Sequence, residues 1–130
     1  MEITILQQNI VWSNPEANRK KADEAISRNP GSDLYVLPEM FSTGFCTQPE
    51  GIAESTDSET LAWMKRKAAE TNAAIAGSVA VTKDGKYYNR FYFVKPDGSV
   101  AQYDKKHLFT YGGEHLQFTP GNERVIVEWK

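Results

Sequence analysis

The order of the predicted secondary-structure elements constrains the fold of this chain more than any other feature. In the first half, short apolar strands alternate with amphipathic helices in the order strand, helix, strand, helix, strand. Such alternation favours a parallel sheet with crossover helices packed on it. The later strands follow one another through turns at residues 83–86 and 96–98, as in hairpins. We therefore predict an α/β fold, a mixed sheet with covering helices.

Periodicity and capping signals place the individual elements. Asn14 before Pro15 marks a helix start, and Ser58 or Asp57 caps a second helix. The inward-facing positions, spaced three and four residues apart, are Ala22, Ala25 and Ile26 in the first helix and Leu61, Met64 and Ala68 in the second. The first predicted helix runs from residue 15 to about residue 28, and the predicted strands span residues 2–10, 34–37, 73–82, 88–94, 100–103 and 125–129.

Composition excludes several classes of function. The formal net charge of -2 provides no basic surface for nucleic acid, which needs clustered Lys and Arg. No apolar run approaches the roughly 20 residues of a membrane helix, and the first residues do not form a signal peptide. The single cysteine, Cys46, excludes an internal disulfide and fits a reducing compartment. We expect a soluble cytoplasmic protein that binds neither nucleic acid nor membrane.

The chain length predicts one compact unit whose sheet is incompletely covered. The 130 residues match one ordinary domain, without an internal repeat or linker. The sequence stops at Trp129 and Lys130, within or just after a predicted strand and without a closing helix. Because a sheet buries both faces, we expect the open face to meet further chain or another polypeptide.

Charged residues follow two of the predicted strands. Glu39 comes directly after the strand at 34–37, and Lys105 follows the strand at 100–103. Ligands of open α/β sheets bind at the carboxyl ends of strands, so both are candidate site residues. Glu114, flanked by glycines in a long loop, is a third candidate. Position alone favours a solvated loop carboxylate for Glu39, and a solvated charge pair at Lys105 is also common.

Other reactive residues give weaker signals. The presence of Cys46 together with His107 and His115 is compatible with a catalytic Cys–His pair. A free cysteine, however, is more often a small buried hydrophobic residue. Two histidines and one cysteine do not form a zinc set. The sequence also contains no phosphate-binding glycine loop and no nucleophile elbow.

Six short segments, taken in order, resemble the nitrilase, or carbon–nitrogen hydrolase, superfamily. The resemblance covers the whole chain and is greatest to the omega-amidase type, which hydrolyses amides of 2-oxo dicarboxylic acids. The segments lie at residues 37–41, 77–79, 88–89, 96–98, 103–109 and 118–121.

The resemblance implies a Glu-Lys-Cys triad with a supporting glutamate. The base falls on Glu39, the lysine on Lys105, two positions before His107, and the supporting glutamate on Glu114. The family's nucleophile lies soon after residues 125–129, where this sequence has already ended. Cys46 falls in the loop that forms pocket wall, so we reject it as the nucleophile and expect the chain alone to be inactive.

The resemblance also implies an architecture and partners. Residues 1–130 would be the N-terminal part of a single domain with an αββα four-layer sandwich, working without metal or organic cofactor. We expect a small-molecule amide substrate and, as partner, either a homo-oligomer or the missing C-terminal part. Phe41, Phe45 and Phe109 either line the pocket or pack in the core. The alternative function is a non-catalytic half-sandwich that serves as an interaction module.

Overall fold

The computed structural model describes residues 1–130 as one mixed sheet with two long helices on one face. The sheet has five strands in the order β1-β2-β3-β4-β5. The elements are β1 (Ile3–Ile5), α1 (Pro15–Arg28), β2 (Leu34–Val36), α2 (Glu59–Thr71), β3 (Ala74–Lys83), β4 (Lys86–Val94), β5 (Val100–Asp104) and the one-turn α3 (Glu114–Gln117).

The sheet topology confirms the predicted fold class. β1, β2 and β3 pair in parallel, whereas β4 and β5 join as antiparallel hairpin strands. The β3–β4 turn has positive φ at Asp84 (51°) and Gly85 (73°), which a two-residue hairpin turn requires to match strand twist. The carboxyl ends of β2, β3 and β5 therefore all point to one edge of the sheet.

The core lies between the helices and one face of the sheet. Asn14 accepts a hydrogen bond from Ala17 N–H and caps α1, and Ser58 caps α2 in the same manner. Alternate residues of β3, including Ile75, Val79 and Val81, face the helices and are fully buried; each such side chain stabilises the fold by about 1.5–3 kcal/mol. The predicted inward residues pack in or against this core: Ala22, Ile26, Met64 and Ala68 are buried, and Ala25 and Leu61 partly so.

The first strand is shorter than predicted. β1 ends at Ile5 instead of residue 10, and the last pairing bond runs from Leu6 N–H to Val36 O. The neighbouring strand β2 then turns away through Pro38, which has no N–H to donate. Residues 7–10 therefore have no strand beside them and leave the sheet.

The predicted strand at 125–129 is wrong, because residues 121–130 contain no strand. This segment passes over the face of the sheet opposite the helices, where the Trp129 ring lies 6.4 Å from that of Phe93. Trp129 Nε1 donates to Asp33 O at 3.0 Å, and Lys130 Nζ lies 2.7 Å from Asp33 Oδ1. The β-branched residues of this segment lie over the face of the sheet, where no strand edge is available for pairing.

The long loop after β5 was predicted to be irregular throughout, but it contains the single helical turn α3.

None of the helices in the chain combines the length and the apolar character needed to cross a membrane.

Candidate functional site

The loop after β2 crosses β3 at Ser78 and carries Glu39 toward the edge of the sheet at which β5 ends. Met40 N–H donates to Ser78 Oγ at 2.9 Å, and Phe41 N–H donates to Ser78 O at 3.3 Å. These bonds anchor the loop on β3. The crossing is close: a Cβ at Gly77 would lie 2.9 Å from Leu37 Cβ, so residue 77 has no room for a side chain. Glu39 is thereby brought toward the ends of β4 and β5.

Lys105 stands at the centre of a cluster of polar side chains at this edge. Its Nζ lies 2.9 Å from Glu39 Oε1 and 3.0 Å from Glu114 Oε1. Asn89 Nδ2, on β4, donates to Glu39 Oε1 at 2.8 Å and to Glu114 Oε2 at 3.1 Å. The three candidate residues from the sequence are thus brought together with a fourth, Asn89.

Glu114 is the buried member of the cluster, with 0% of its surface exposed. Its carboxylate accepts hydrogen bonds from Phe109 N–H at 2.7 Å and from Asn89, and it forms an ion pair with Lys105. Burying a carboxylate without such partners is costly, and these donors compensate for its lost hydration. Gly113, with φ of 82°, starts the single turn of α3 at Glu114.

Lys105 keeps its positive charge in this setting. Partial burial acts to lower the pKa of its ammonium, but the hydrogen bonds and charges of Glu39 and Glu114 outweigh burial, so the pKa is raised above its ordinary value of 10.5. At neutral pH the cluster therefore holds a permanent cation between two carboxyl groups.

Glu39 is the exposed carboxyl of the pair, with 48% of its side chain accessible. Both of its hydrogen bonds, from Asn89 and Lys105, are made by Oε1. Oε2 accepts no bond from the protein. The arrangement can therefore take a proton at one free oxygen while a fixed ammonium lies beside it.

Comparison with known proteins shows the family of the chain. The family model for carbon–nitrogen hydrolases matches residues 2–128. The chain belongs to the carbon–nitrogen hydrolase family. The resemblance carried by the six sequence segments is confirmed.

Relatives of this carbon–nitrogen hydrolase chain include omega-amidases. The omega-amidase YafV of Escherichia coli K12 is 44% identical over 130 residues, which are 100% of this chain and 50% of that protein. The 2-oxoglutaramate amidase of Bacillus subtilis is 34% identical over 97% of this chain and 50% of that protein. The chain thus spans about half the length of the curated relatives it matches.

A solved structure superposes on the whole chain. XC1258 from Xanthomonas campestris, a CN-hydrolase superfamily protein with an arsenic adduct in its active site, has a TM-score of 0.95 and 40% identity over 100% of this chain and 49% of its own.

The aromatic residues divide between the site and the core. Phe45 and Phe109 lie beside Glu39 and Lys105 in one open cleft, with their ring centroids 6.2 Å apart. The Phe45 ring also lies 5.5 Å from Lys105 Nζ. Phe41, in contrast, is buried in the core 5.9 Å from the Trp63 ring, so the expectation that it lines the pocket is not met. Its position follows from the loop crossing over Gly77, which turns the Phe41 ring inward.

Cys46 belongs to the same loop and is buried, with 2% of its surface exposed. Burial raises the pKa of its thiol, and the charge of Glu114 acts in the same direction. Its Sγ contacts Met40 Sδ at 4.0 Å. No three or more His, Cys, Asp or Glu side chains converge on a point that would hold a metal ion.

Asn89 belongs to one of the six family segments but was not predicted as a site residue. A signal for it exists in the sequence: it lies in β4 among tyrosines and phenylalanines. A polar amide in a largely aromatic strand must find partners when it is buried. The sequence did not show that those partners are carboxylates from two distant loops.

Proposed function

We propose that this chain supplies the base and the cation of an amide hydrolase with a Glu-Lys-Cys triad, which acts on small 2-oxo acid amides. The nucleophilic thiol would come from a segment outside residues 1–130. The observation that carries the proposal is the position of Lys105 Nζ, 2.9 Å from Glu39 and 3.0 Å from Glu114. A lysine paired with two carboxylates beside an open cleft is a costly arrangement for a surface without function.

In the proposed reaction Glu39 acts as the proton carrier. Oε2 of Glu39 takes the proton of the thiol, and the resulting thiolate attacks the amide carbonyl to form a tetrahedral intermediate. Glu39 returns the proton to the departing ammonia as the C–N bond breaks. It then takes a proton from water, which attacks the thioester and releases the carboxylic acid, and it returns that proton to the departing thiolate.

Lys105 stabilises the negative charge that forms on the carbonyl oxygen. Its ammonium is fixed before reaction by two carboxylates, so little reorganisation is needed as charge develops. A preorganised donor of this kind contributes about 10²–10³ in kcat, or about 2.7–4 kcal/mol. Glu114 is proposed to hold Lys105 in place, because it is buried and reaches the cleft only through the ammonium and the Asn89 amide.

Cys46 is a poor candidate for the missing thiol. It is buried against Met40 and Phe118, and the pKa of its thiol is raised, whereas a nucleophilic cysteine needs access and a stabilised thiolate. These properties support placing the nucleophile elsewhere. They fit the proposal that residues 1–130 are the N-terminal part of a single domain. The non-catalytic alternative is not favoured, because the relatives include an omega-amidase and a 2-oxoglutaramate amidase.

The proposal extends to partners and location. The face of the sheet opposite the helices carries Phe91, Phe93, Val125 and Val127 around an open groove. Because an exposed apolar surface of this kind marks an interaction site, it supports association with either the missing C-terminal part or a second copy of the chain. A single buried cysteine supports a reducing, cytoplasmic location.

The test is hydrolysis of 2-oxoglutaramate, followed by ammonia release. We expect the 130-residue chain alone to be inactive and a protein that joins it to a thiol-bearing segment to be active. In that protein Glu39→Gln should lower kcat by at least about 10³-fold, because the amide cannot take a proton. Glu59→Gln, which changes an exposed carboxylate on α2 paired with Arg66, is the matched control and should leave kcat unchanged. Turnover by Glu39→Gln at the unsubstituted rate would reject the proposal.

A further inference from the structure

We infer that Asn89 is a positioning residue that holds Glu39 and Glu114 at a fixed separation around Lys105 and leaves one oxygen of Glu39 free. The inference rests on the proposed function and adds to it a residue outside the Glu-Lys-Cys triad.

The hydrogen bonds and ion pairs of the cluster form a closed ring. From Glu39 Oε1 the ring runs to Lys105 Nζ at 2.9 Å and on to Glu114 Oε1 at 3.0 Å. It returns from Glu114 Oε2 to Asn89 Nδ2 at 3.1 Å and back to Glu39 Oε1 at 2.8 Å. Lys105 and Asn89 therefore each bridge the same two carboxylates. Removing either bridge opens the ring.

The orientation of the Asn89 amide is set by its partners. Ionised carboxylates only accept hydrogen bonds, so the NH₂ group, with two hydrogens, must face them, one hydrogen to each. Asn89 is 3% exposed, and its backbone O also accepts Lys105 N–H at 2.9 Å. One residue of a sheet strand thus contacts all three members of the cluster. Strand residues fix geometry better than loop residues, and neither Glu39 nor Lys105 lies in a strand.

An amide suits this position because it donates hydrogen bonds without carrying a charge. Two carboxylates close to one ammonium repel each other, and a second neutral donor reduces that repulsion without adding a second cation. Because Asn89 and Lys105 both bond Oε1 of Glu39, Oε2 is left as the only free oxygen of that carboxylate. Proton transfer would then always use the same atom in the same place.

A buried asparagine with a purely structural role would behave differently. It would affect the free energy of unfolding, but it would not change the proton chemistry of a folded protein. Tyr35 offers a matched comparison, because its buried hydroxyl donates to Asn29 O at 2.7 Å, away from the cluster. Tyr35→Phe loses one hydrogen bond without touching the cluster.

The experiment measures kcat, KM and the pH profile of kcat/KM in the thiol-containing protein for Asn89→Ala, Asn89→Asp, Glu39→Gln and Tyr35→Phe. Asn89→Ala should lower kcat by about 10- to 100-fold with KM changed less than about threefold. Asn89→Asp keeps the shape but adds a third carboxylate, so the acid limb of the profile should move up by about one pH unit or more. Tyr35→Phe should change neither kcat nor the pH profile.

The titratable groups that face the cluster are few, so the pH profile can be assigned. Glu39, Glu114 and Lys105 belong to the ring, the charge of Glu114 acts on the Cys46 thiol, and the exposed His107 and Tyr111 line the cleft. His107→Gln in the Asn89→Asp background identifies any contribution of the imidazole. The shift caused by Asn89→Asp should persist there, and its disappearance would overturn the inference.

The outcomes separate the inference from the proposed function. If Glu39→Gln retains full turnover, the proposed function fails. If Glu39→Gln is inactive while Asn89→Ala and Asn89→Asp keep the kcat and pH profile of the unsubstituted protein, only the role of Asn89 fails. Thermal unfolding of each variant identifies any loss of the fold. Should Asn89→Ala not fold, the isosteric Asn89→Asp decides the matter through its pH profile.

Discussion

The ammonium of Lys105 lies 2.9 Å from Oε1 of Glu39, although 66 residues separate the two along the chain. Each residue follows a strand of the same sheet, β2 in one case and β5 in the other. The strands are not neighbours, and contact is possible only because the loop after β2 crosses β3 at Ser78 toward β4 and β5. The pair is thus a product of sheet topology.

Removing the cation should affect both turnover and stability. Lys105→Met leaves Glu39 and Glu114 facing each other without the ammonium between them. We expect kcat for 2-oxoglutaramate hydrolysis to fall by about 10²–10³ in the thiol-containing protein, the loss typical of a missing oxyanion donor. Lys106→Met, one position along the chain at an exposed lysine, is the control and should keep kcat within about twofold. Equal rates for the two variants would contradict the role given to Lys105.

The site could be predicted from the sequence only in part. Strand-end positions identified Glu39 and Lys105 as candidates, flanking glycines in a long loop marked Glu114, and the resemblance gave all three their roles. Their contact was not predictable from spacing, since it depends on a loop crossing that Gly77 permits. Asn89 was missed because its partners come from two distant loops.

The fold could also be predicted from the sequence only in part. Alternating elements predicted the mixed sheet, since local hydrophobic pattern decides which segments become strands and helices. The strand predicted at 125–129 failed because a strand also needs an edge to pair with, and this segment instead crosses the face of the sheet. Phe41 failed as a pocket residue because its direction depends on how the loop turns after Pro38.

Close backbone packing at Gly121 should make this position intolerant of a side chain. The carbonyl oxygen of Asp104 occupies the place that a Cβ at residue 121 would take, and Gly121 N–H donates to Lys105 O at 3.1 Å. We expect Gly121→Ala to push away the backbone that carries Lys105, lowering the free energy of unfolding by about 1–3 kcal/mol and also lowering kcat. Urea unfolding and steady-state kinetics measure the two effects.

Gly98→Ala provides the control for that substitution. Gly98 has φ of 84°, and no atom lies within 4 Å of the place that a Cβ would occupy. Alanine there costs only backbone strain, about 1–2 kcal/mol, far from the cluster. Its kcat should be unchanged. Loss of turnover in Gly98→Ala but not in Gly121→Ala would show that the packing against Asp104 does not position Lys105.

The buried thiol should be dispensable for turnover. Cys46 packs against Met40, Ala80 and Phe118, and burial raises the pKa of its thiol. Cys46→Ala should keep kcat within about twofold and cost about 1 kcal/mol of stability from the small cavity it leaves. In the chain alone, a thiol reagent should modify Cys46 in urea but only slowly in buffer. A folded Cys46→Ala variant without turnover would show that this thiol takes part in the reaction.

The raised pKa of Lys105 predicts how its contribution to stability depends on pH. Burial acts to lower this pKa, but Glu39 and Glu114 raise it above 10.5, so the folded protein holds the proton more tightly than the unfolded chain does. The stabilisation is therefore complete below about pH 10 and is lost as the pH rises through the folded-state pKa. The measurement is urea unfolding of the unsubstituted protein and of Lys105→Met between about pH 8 and about pH 12. The difference in free energy of unfolding between them should be constant at the lower end and shrink at the upper end, while groups common to both proteins cancel. A difference that grows with pH would mean that the two carboxylates do not hold the ammonium in the folded protein.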